Sequence, residues 1–296
     1  MAYQFSTEDK SIQAAVRRIA RGRIDAALMR APALPDTDSI HGIRKETKKL
    51  RGLLQLVKPR FKGFAQAEAA LKRGAAQLAR LRDAEVSLAT FDSLACGLDN
   101  PSDAAPIRAV LADEVARLRD PRLLSDATGA LRDTLVQLRG GIDDWKIKGR
   151  GFDALGEGLG ATWRRAQRDM KGAERSYKGS FDAAPFHDWR RPVKHHWYQA
   201  RLLLPLWPEM MTPHIAAADA LGEILGDHND LDVLLSRLKR DLRDDGSPVA
   251  AQLTELALKR RRQLAGRSLV LGQRFFADRP GALVTRWGRW WALWRG

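Results

Sequence analysis

The stretches HGIRKETKKLR (41–51) and HDWRRPVKHHW (187–197) decide how this sequence is interpreted. Each begins with histidine and carries a cation three, four and seven residues later, and the two lie 146 residues apart. A second pair of stretches, LRDAEV (81–86) and HNDLDV (228–233), follows in the same order at an offset of 147. Two matched blocks at nearly one offset indicate a tandem duplication.

Each histidine-led stretch predicts a helix with one basic side, because residues i, i+3, i+4 and i+7 share a helix face. The first stripe consists of His41, Arg44, Lys45 and Lys48. The second stripe consists of His187, Arg190, Arg191, Lys194 and Arg201. Like charges at these spacings repel each other, and few carboxylates stand nearby to relieve the repulsion. A solvated helix face is the plain alternative, but the repetition favours a bound anion.

The rest of the chain predicts an all-α fold, since apolar residues recur at helical spacing and no segment alternates with a period of two. The glycine-rich stretch KGRG (148–151) is the best linker, so we expect two repeats, residues 1–148 and 149–296, that together form one domain. The expected helices lie near 7–30, 39–58, 64–96, 106–119 and 123–145, and then near 153–172, 185–204, 209–242, 248–276 and 281–294.

The composition narrows the class of protein. Among 296 residues, 51 Lys and Arg face 36 Asp and Glu, and the formal net charge of +15 calls for an anionic partner. A single cysteine, Cys96, excludes an internal disulfide framework. No apolar run approaches the roughly 18 residues of a membrane-spanning helix, and the amino terminus lacks an apolar signal core. We expect a soluble, cytoplasmic protein.

The histidine-led stretches resemble the motif of the conserved histidine α-helical domain (CHAD) family. That motif is a histidine followed at +3, +7, +8 and +10 by basic residues, present twice. The first copy is filled by His41, Arg44, Lys48, Lys49 and Arg51. The second copy is matched by His187, Arg190, Lys194 and Tyr198, whereas His195 and Trp197 stand where Lys or Arg is expected. The resemblance extends from about Thr7 to the carboxyl terminus.

The resemblance implies a pair of four-helix bundles related by pseudo-twofold symmetry, with the two basic helices facing a shared groove or pore. It also implies binding of inorganic polyphosphate, residence on polyphosphate granules and contact with polyphosphate-metabolising enzymes. We expect Arg82 to extend the cationic wall, with Arg21 and Arg165 as further basic positions. The resemblance leaves the oligomeric state open.

A polyphosphate chain carries about one negative charge per phosphate and no bases, which suits cationic stripes with few aromatic side chains. We expect His41 and His187 to lie in the first turn of their helices, where main-chain N–H groups favour anions. A phosphate nearby would raise the proton affinity of the imidazoles. The hypothesis is that binding tightens below roughly pH 6.5.

RNA or DNA binding through the same basic surface is the alternative function, since the net charge suits any polyanion. Against it, the stripes contain few aromatics for base stacking and no series of Asn or Gln that could read bases. The sequence has no glycine-rich phosphate loop, no GxSxG elbow and no carboxylate cluster for paired metal ions. We therefore expect no enzymatic activity and no cofactor.

Two further patterns are ambiguous. His195 and His196 are adjacent, but neighbours on a helix point about 100° apart and cannot chelate one metal ion, so we expect no metal site. The tail RWGRWWALW places Trp287, Trp290, Trp291 and Trp294 in one stripe. It predicts a closing helix packed on the second repeat, with a membrane-surface or granule-surface anchor as the alternative.

Overall fold

A computed structural model of the protein describes residues 3–30, 37–241 and 248–296. The described residues contain no β-strand, only an isolated antiparallel bridge between Phe61 and Ile147. The prediction of an all-α fold is confirmed. The described α-helices are α1 (Ile12–Leu28), α2 (Thr37–Val57), α3 (Phe64–Gln77), α4 (Ala79–Ala95), α5 (Ala105–Leu118), α6 (Pro121–Gly140), α7 (Asp153–Lys178), α8 (Ala184–Leu202), α9 (Pro208–Asp241), α10 (Pro248–Phe275) and α11 (Pro280–Arg295).

Helix boundaries differ from the predictions where a capping group or a break intervenes. α1 begins at Ile12 rather than near Thr7, because the Ser11 side chain accepts a hydrogen bond from the main-chain N–H of Ala14 (3.1 Å) and caps the helix there. The single helix expected over 64–96 is two helices, broken at Leu78, whose φ of −100° and ψ of 3° leave the helical region. This break lets α3 pack against α6 while α4 packs against α5 and α9.

One hydrophobic core runs through both parts of the sequence. It includes Ile19 on α1, Leu53 on α2, Leu155 on α7, Trp189 on α8 and Trp287 on α11. A smaller cluster joins Phe91 on α4 and Ile107 on α5 to Leu234 on α9 and Leu253 on α10. Residues 1–148 and 149–296 therefore bury their apolar surface against each other.

Close helix crossings fix α2 against α7 and α8. A β-carbon at Gly52 would overlap the β-carbon of Tyr198, and one at Gly158 would overlap the main-chain carbonyl of Leu56. The absence of a side chain at these two glycines lets the backbones approach closely. The helices that carry the two stripes are thus in direct contact.

The tryptophan stripe of the tail packs inward. Trp287 and Trp291 on α11 are buried, Trp291 against Phe5 and Phe152. The interpretation of this segment as a closing helix matches this packing. Within the described residues, no helix combines the length and apolar character that crossing a membrane requires.

Candidate functional site

The first stripe lies along one side of α2. His41, Lys45 and Lys48 are exposed and Arg44 is half-buried, whereas Ile43 on the opposite side is fully buried. The separation of a packed side from a basic side is as the helical spacing predicts. Within the described part of the chain, the side chains of Arg44, Lys45 and Lys48 form no hydrogen bond or ion pair.

Lys48 marks the point where the cations of three helices converge. Its side chain is open to solvent but surrounded by protein at longer range, and this partial desolvation lowers the pKa of Lys48 to about 8. Repulsion from four further cations adds to the shift in that pKa: Arg44, Arg190, Arg82 and Lys194. A side chain that water reaches directly but that protein surrounds at longer range is typical of a concave surface.

Arg82 on α4 lies beside the first stripe. Desolvation, and then the charge of Arg82, lower the pKa of Arg44. Arg82, His41 and Arg44 line a recess of about 300 Å³ between α2 and α4. Among the described residues the side chain of Arg82 has no hydrogen bond or ion pair. The expectation that Arg82 lies next to the cations of α2 agrees with this placement.

Both stripe histidines are exposed and have pKa values below the ordinary range. Desolvation is the main cause of the lowered pKa of His41, and the charges of Lys48 and Arg82 lower it further. Desolvation is also the main cause for His187, and the charge of Arg191 adds to it. The imidazoles are therefore neutral at pH 7 in the free protein. His187 lies in the first turn of α8, but His41 is the fifth residue of α2, so its N–H is past the free end of the helix.

Two cations of the second stripe, Lys194 and Arg191, have carboxylate neighbours. The Nζ atom of Lys194 lies 2.8 Å from Glu223 and 3.3 Å from Asp219, both on α9, and 4.2 Å from the centre of the Trp197 ring. Arg191 lies 3.8 Å from Asp188, and the Arg201 guanidinium lies 4.9 Å from the centre of the same indole ring.

Arg190 is the exception within the second stripe. Its Nε atom is buried and has no hydrogen-bond partner among the described residues. Two glycines on α9 leave room for the second stripe: a β-carbon at Gly226 would lie 3.2 Å from Arg190 Nη2, and one at Gly222 would lie 2.6 Å from Lys194 Cδ. The spacing of these glycines, one helical turn apart, is a signal that sequence reasoning missed.

Lys49 and Arg51, which the motif resemblance places among the polyphosphate-binding residues, lie away from the first stripe and are paired with carboxylates. At about 100° per residue, positions +8 and +10 fall about 80° to either side of the histidine. Lys49 is buried and bonds Glu46 (2.6 Å), which also accepts from Arg23 (2.8 Å). Arg51 forms a 2.7 Å ion pair with the buried Glu68 on α3. Arg51 thus joins α2 to α3, whereas Lys49 and Glu46 both belong to α2, and Arg23 connects Glu46 to α1.

Arg21 and Arg165 are also separate from the stripes. Arg21 pairs with Asp143, and Arg165 pairs with Asp169 one turn along α7 (3.2 Å). The charge of Arg165 acts on His195: burial lowers the pKa of His195 to about 3, and Arg51 and Arg165 add to that effect. The cations that the structure does bring together lie on α2, α4 and α8. They are Arg44, Lys48, Arg82, Arg190 and Lys194.

The remaining histidines do not form a metal site in the described residues, where no group of three or more His, Cys, Asp or Glu side chains could hold an ion. His196 and His214 instead bond each other through their Nε2 atoms (2.7 Å) beside Trp163 and Trp287. Burial lowers the pKa of His196 well below its ordinary value and that of His214 to about 4, so the pair is neutral at pH 7.

Comparison with known proteins gives the chain a family. The crystal structure of the CHAD domain from the plant Ricinus communis superimposes with a TM-score of 0.58 at 18% sequence identity, covering 94% of this chain and 95% of that chain, and at this identity it shows the fold alone. No curated protein matches the sequence significantly. The family model of the CHAD domain matches residues 14–239. Because that match spans most of the sequence, the chain belongs to the CHAD domain family.

Proposed function

We propose that this CHAD protein binds inorganic polyphosphate, without catalysing a reaction, through the first stripe together with Arg82 and Arg190. The observation that carries the proposal is the convergence on Lys48 of cations from α2, α4 and α8, of which Arg44 and Arg82 have no ion pair among the described residues. Such a cluster repels itself in the free protein. A linear polyanion would relieve that repulsion at several positions at once.

Arginine and lysine would contribute differently to binding. The guanidinium groups of Arg44, Arg82 and Arg190 can each donate two parallel hydrogen bonds to one phosphate, whereas Lys45 and Lys48 act as mobile point charges. Each contact contributes on the order of 1 kcal/mol after screening. Affinity then comes from summation along the chain and falls with salt, with a slope of roughly −0.7 per phosphate neutralised, by analogy with single-stranded nucleic acid.

The proposal includes a duplicated architecture with a groove between the basic helices. The order of helices supports a duplication: α1 and α2 correspond to α7 and α8, the broken pair α3 and α4 to the continuous α9, and the pair α5 and α6 to α10. The contact of α2 with α8 at Gly52 supports a shared groove, because it sets the two stripes side by side.

The binding test is a competition experiment. Fluorescent polyphosphate of defined length is bound at about 150 mM salt, and unlabelled polyphosphate, single-stranded RNA and duplex DNA are added as competitors. We expect polyphosphate to compete best, because Arg44, Lys48 and Arg82 have no aromatic ring beside them for base stacking among the described residues, and Trp197 lies only next to Lys194. Stronger competition by RNA at equal phosphate concentration would favour nucleic acid as the ligand instead.

A matched pair of variants tests the location of the site. Arg44→Ala combined with Lys48→Ala removes two stripe cations; Arg122→Ala combined with Arg132→Ala removes two exposed cations of α6. The proposal requires polyphosphate affinity to fall in the first variant and to stay near that of the parent in the second. Equal losses would show that overall charge, not this cluster, determines binding.

His41 and His187 should make polyphosphate binding depend on pH. The pKa values of His41 and His187 are lowered in the free protein and would be raised by a bound phosphate, so binding tightens as the pH falls from the bound pKa toward the lower free value. The affinity of the His41→Ala, His187→Ala double variant should then match the parent at pH 8 and fall behind it toward pH 5.5. Indistinguishable profiles would remove the histidines from the site.

Residence on polyphosphate granules is the cellular part of the proposal. It rests on what membership of the CHAD family implies and on the cationic cluster, and it would place the protein beside polyphosphate-metabolising enzymes. Fluorescence localisation in phosphate-replete and phosphate-starved cells tests it. Discrete foci in replete cells that disappear on starvation are expected; diffuse signal in both conditions would contradict a granule role.

A further inference from the structure

A cavity of about 670 Å³ lies between α4, α9 and α10, adjoining the cluster around Lys48 through Arg82, which lines both the cavity and the recess beside α2. This volume is within the range of about 300 to 1,000 Å³ that small-molecule sites occupy. Apolar side chains line it from three helices: Val86 and Leu94 on α4, Leu231 on α9, and Leu256 and Leu264 on α10.

Charged groups of both signs also line this cavity. Asp227 and Asp230 come from α9, and Lys259 and Arg260 from α10. Of these, Asp227, Lys259 and Arg260 have no hydrogen bond or ion pair among the described residues, so the opposite charges face one space without closing on each other. Burial, followed by the charges of Asp230 and Glu223, raises the pKa of the Asp227 carboxyl. A ligand that donates hydrogen bonds there would relieve that carboxylate.

We propose that this cavity binds a small phosphorylated ligand with an aromatic ring that carries an amino group, the chemistry of an adenine nucleotide. The apolar side chains of α4 and α10 provide faces for a flat ring, Asp227 accepts from its amino group, and Arg82 with the cations of α10 binds its phosphates. The apolar faces and the Asp227 acceptor are not needed by a polyphosphate chain, which has neither a ring nor an amino group.

Arg82 couples the cavity to the cationic cluster. A phosphate that occupies Arg82 from the cavity side removes that cation from a polyanion lying along α2. The ligand and polyphosphate therefore weaken each other's binding, and by linkage the factor is the same in both directions. Nucleotide binding would thus lower the affinity for polyphosphate, but the nucleotide site itself exists whether or not the protein binds polyphosphate.

The test is calorimetric titration of the full chain with ADP, AMP and inorganic tripolyphosphate. Ser93→Trp places a large ring in the cavity from an exposed position on α4, and Ser125→Trp on α6 is the matched control. We expect ADP affinity to fall about tenfold in the first variant and to stay unchanged in the second. Absence of ADP binding at about 1 mM, or equal binding by both variants, would overturn the proposal.

A second variant guards against misfolding of the first. Asp227→Asn preserves shape and removes one negative charge, so a ligand held only by its phosphates should bind as tightly or more tightly. We expect ADP to bind about fivefold more weakly to this variant while tripolyphosphate does not. A parallel gain for both ligands would show that the phosphates alone are recognised and would overturn the assignment of the ring to this cavity.

Discussion

The two stripes have matching spacing in the sequence but differ in how their charges are compensated. The cations of the first stripe have no ion pairs among the described residues, whereas Lys194 and Arg191 of the second have carboxylate neighbours. The difference lies in the facing helix: on α9, Asp219 and Glu223 lie within 3.3 Å of Lys194, whereas on α4, Asp83 and Glu85 act on Arg44 without forming an ion pair with it and Arg82 adds a like charge. Matching spacing of cations in the sequence therefore does not make equal binding surfaces.

The largest effect should come from removing the uncompensated cations. A triple variant, Arg44→Ala, Lys48→Ala and Arg82→Ala, should lower polyphosphate affinity about 100-fold, since three contacts of roughly 1 kcal/mol each are lost. The matched triple variant of the second stripe, Arg191→Ala, Lys194→Ala and Arg201→Ala, should lower it by no more than about fivefold. Fluorescence anisotropy at fixed salt measures both. Equal losses of polyphosphate affinity in the two triple variants would show that the two stripes contribute equally to binding.

The contact between the two stripes depends on backbone crossings that a single methyl group would disrupt. In Gly158→Ala the new β-carbon overlaps the carbonyl of Leu56 on α2, a main-chain group that cannot move without displacing the helix. We expect the free energy of unfolding to fall by about 2 to 3 kcal/mol, as measured by denaturant titration.

Gly172→Ala on the same helix is the control for that measurement. Its β-carbon would meet no atom within 4 Å, so the substitution should raise stability by about 0.5 to 1 kcal/mol through helix propensity. Similar changes of the same sign in both variants would show that the crossing at Leu56 does not determine stability.

The fold could be predicted from the sequence further than the site could. Helical periodicity and the repeated histidine-led stretches are local signals, and they indicated the helices that carry both stripes. Whether a cation is paired or exposed, in contrast, depends on the tertiary structure. Lys49 and Lys48 are adjacent in sequence, yet Lys49 bonds the buried Glu46 while Lys48 stays exposed.

Tertiary contacts also determine the ion pairs of Arg51 and Lys194 and the position of the break between α3 and α4. The partner of Arg51, Glu68, lies on α3, and the partners of Lys194 lie on α9. Spacing along one helix contains no information about such partners. The break at Leu78 is also set by packing, since neither proline nor glycine occupies that position.

Removing the carboxylates of α9 should bring the polyphosphate affinity of the second stripe closer to that of the first. Asp219→Asn with Glu223→Gln frees the ammonium group of Lys194 and should raise polyphosphate affinity about fivefold, roughly the value of one recovered contact. Asp126→Asn with Asp133→Asn changes the net charge equally on exposed positions of α6 and should have a smaller effect. An equal rise in both variants would attribute the gain to net charge alone.

The smallest expected effect is the pH dependence above pH 7 that arises at Lys48 of the first stripe. The pKa of Lys48 is about 8 in the free protein, because desolvation and neighbouring cations disfavour its charged form. A bound polyanion favours that form and raises the pKa, so the contribution of Lys48 to binding is complete below pH 8 and is lost as the pH rises from 8 toward the bound value.

The substitution Lys48→Arg isolates this titration, since a guanidinium stays charged throughout that range. Between about pH 7 and pH 9.5 the parent should lose roughly threefold more polyphosphate affinity than Lys48→Arg. Lys194→Arg is the matched variant in the second stripe and should follow the parent, because Glu223 and Asp219 already stabilise the charge of Lys194. If Lys194→Arg flattened the profile and Lys48→Arg did not, the titrating contact with the polyanion would lie on α8 rather than on α2.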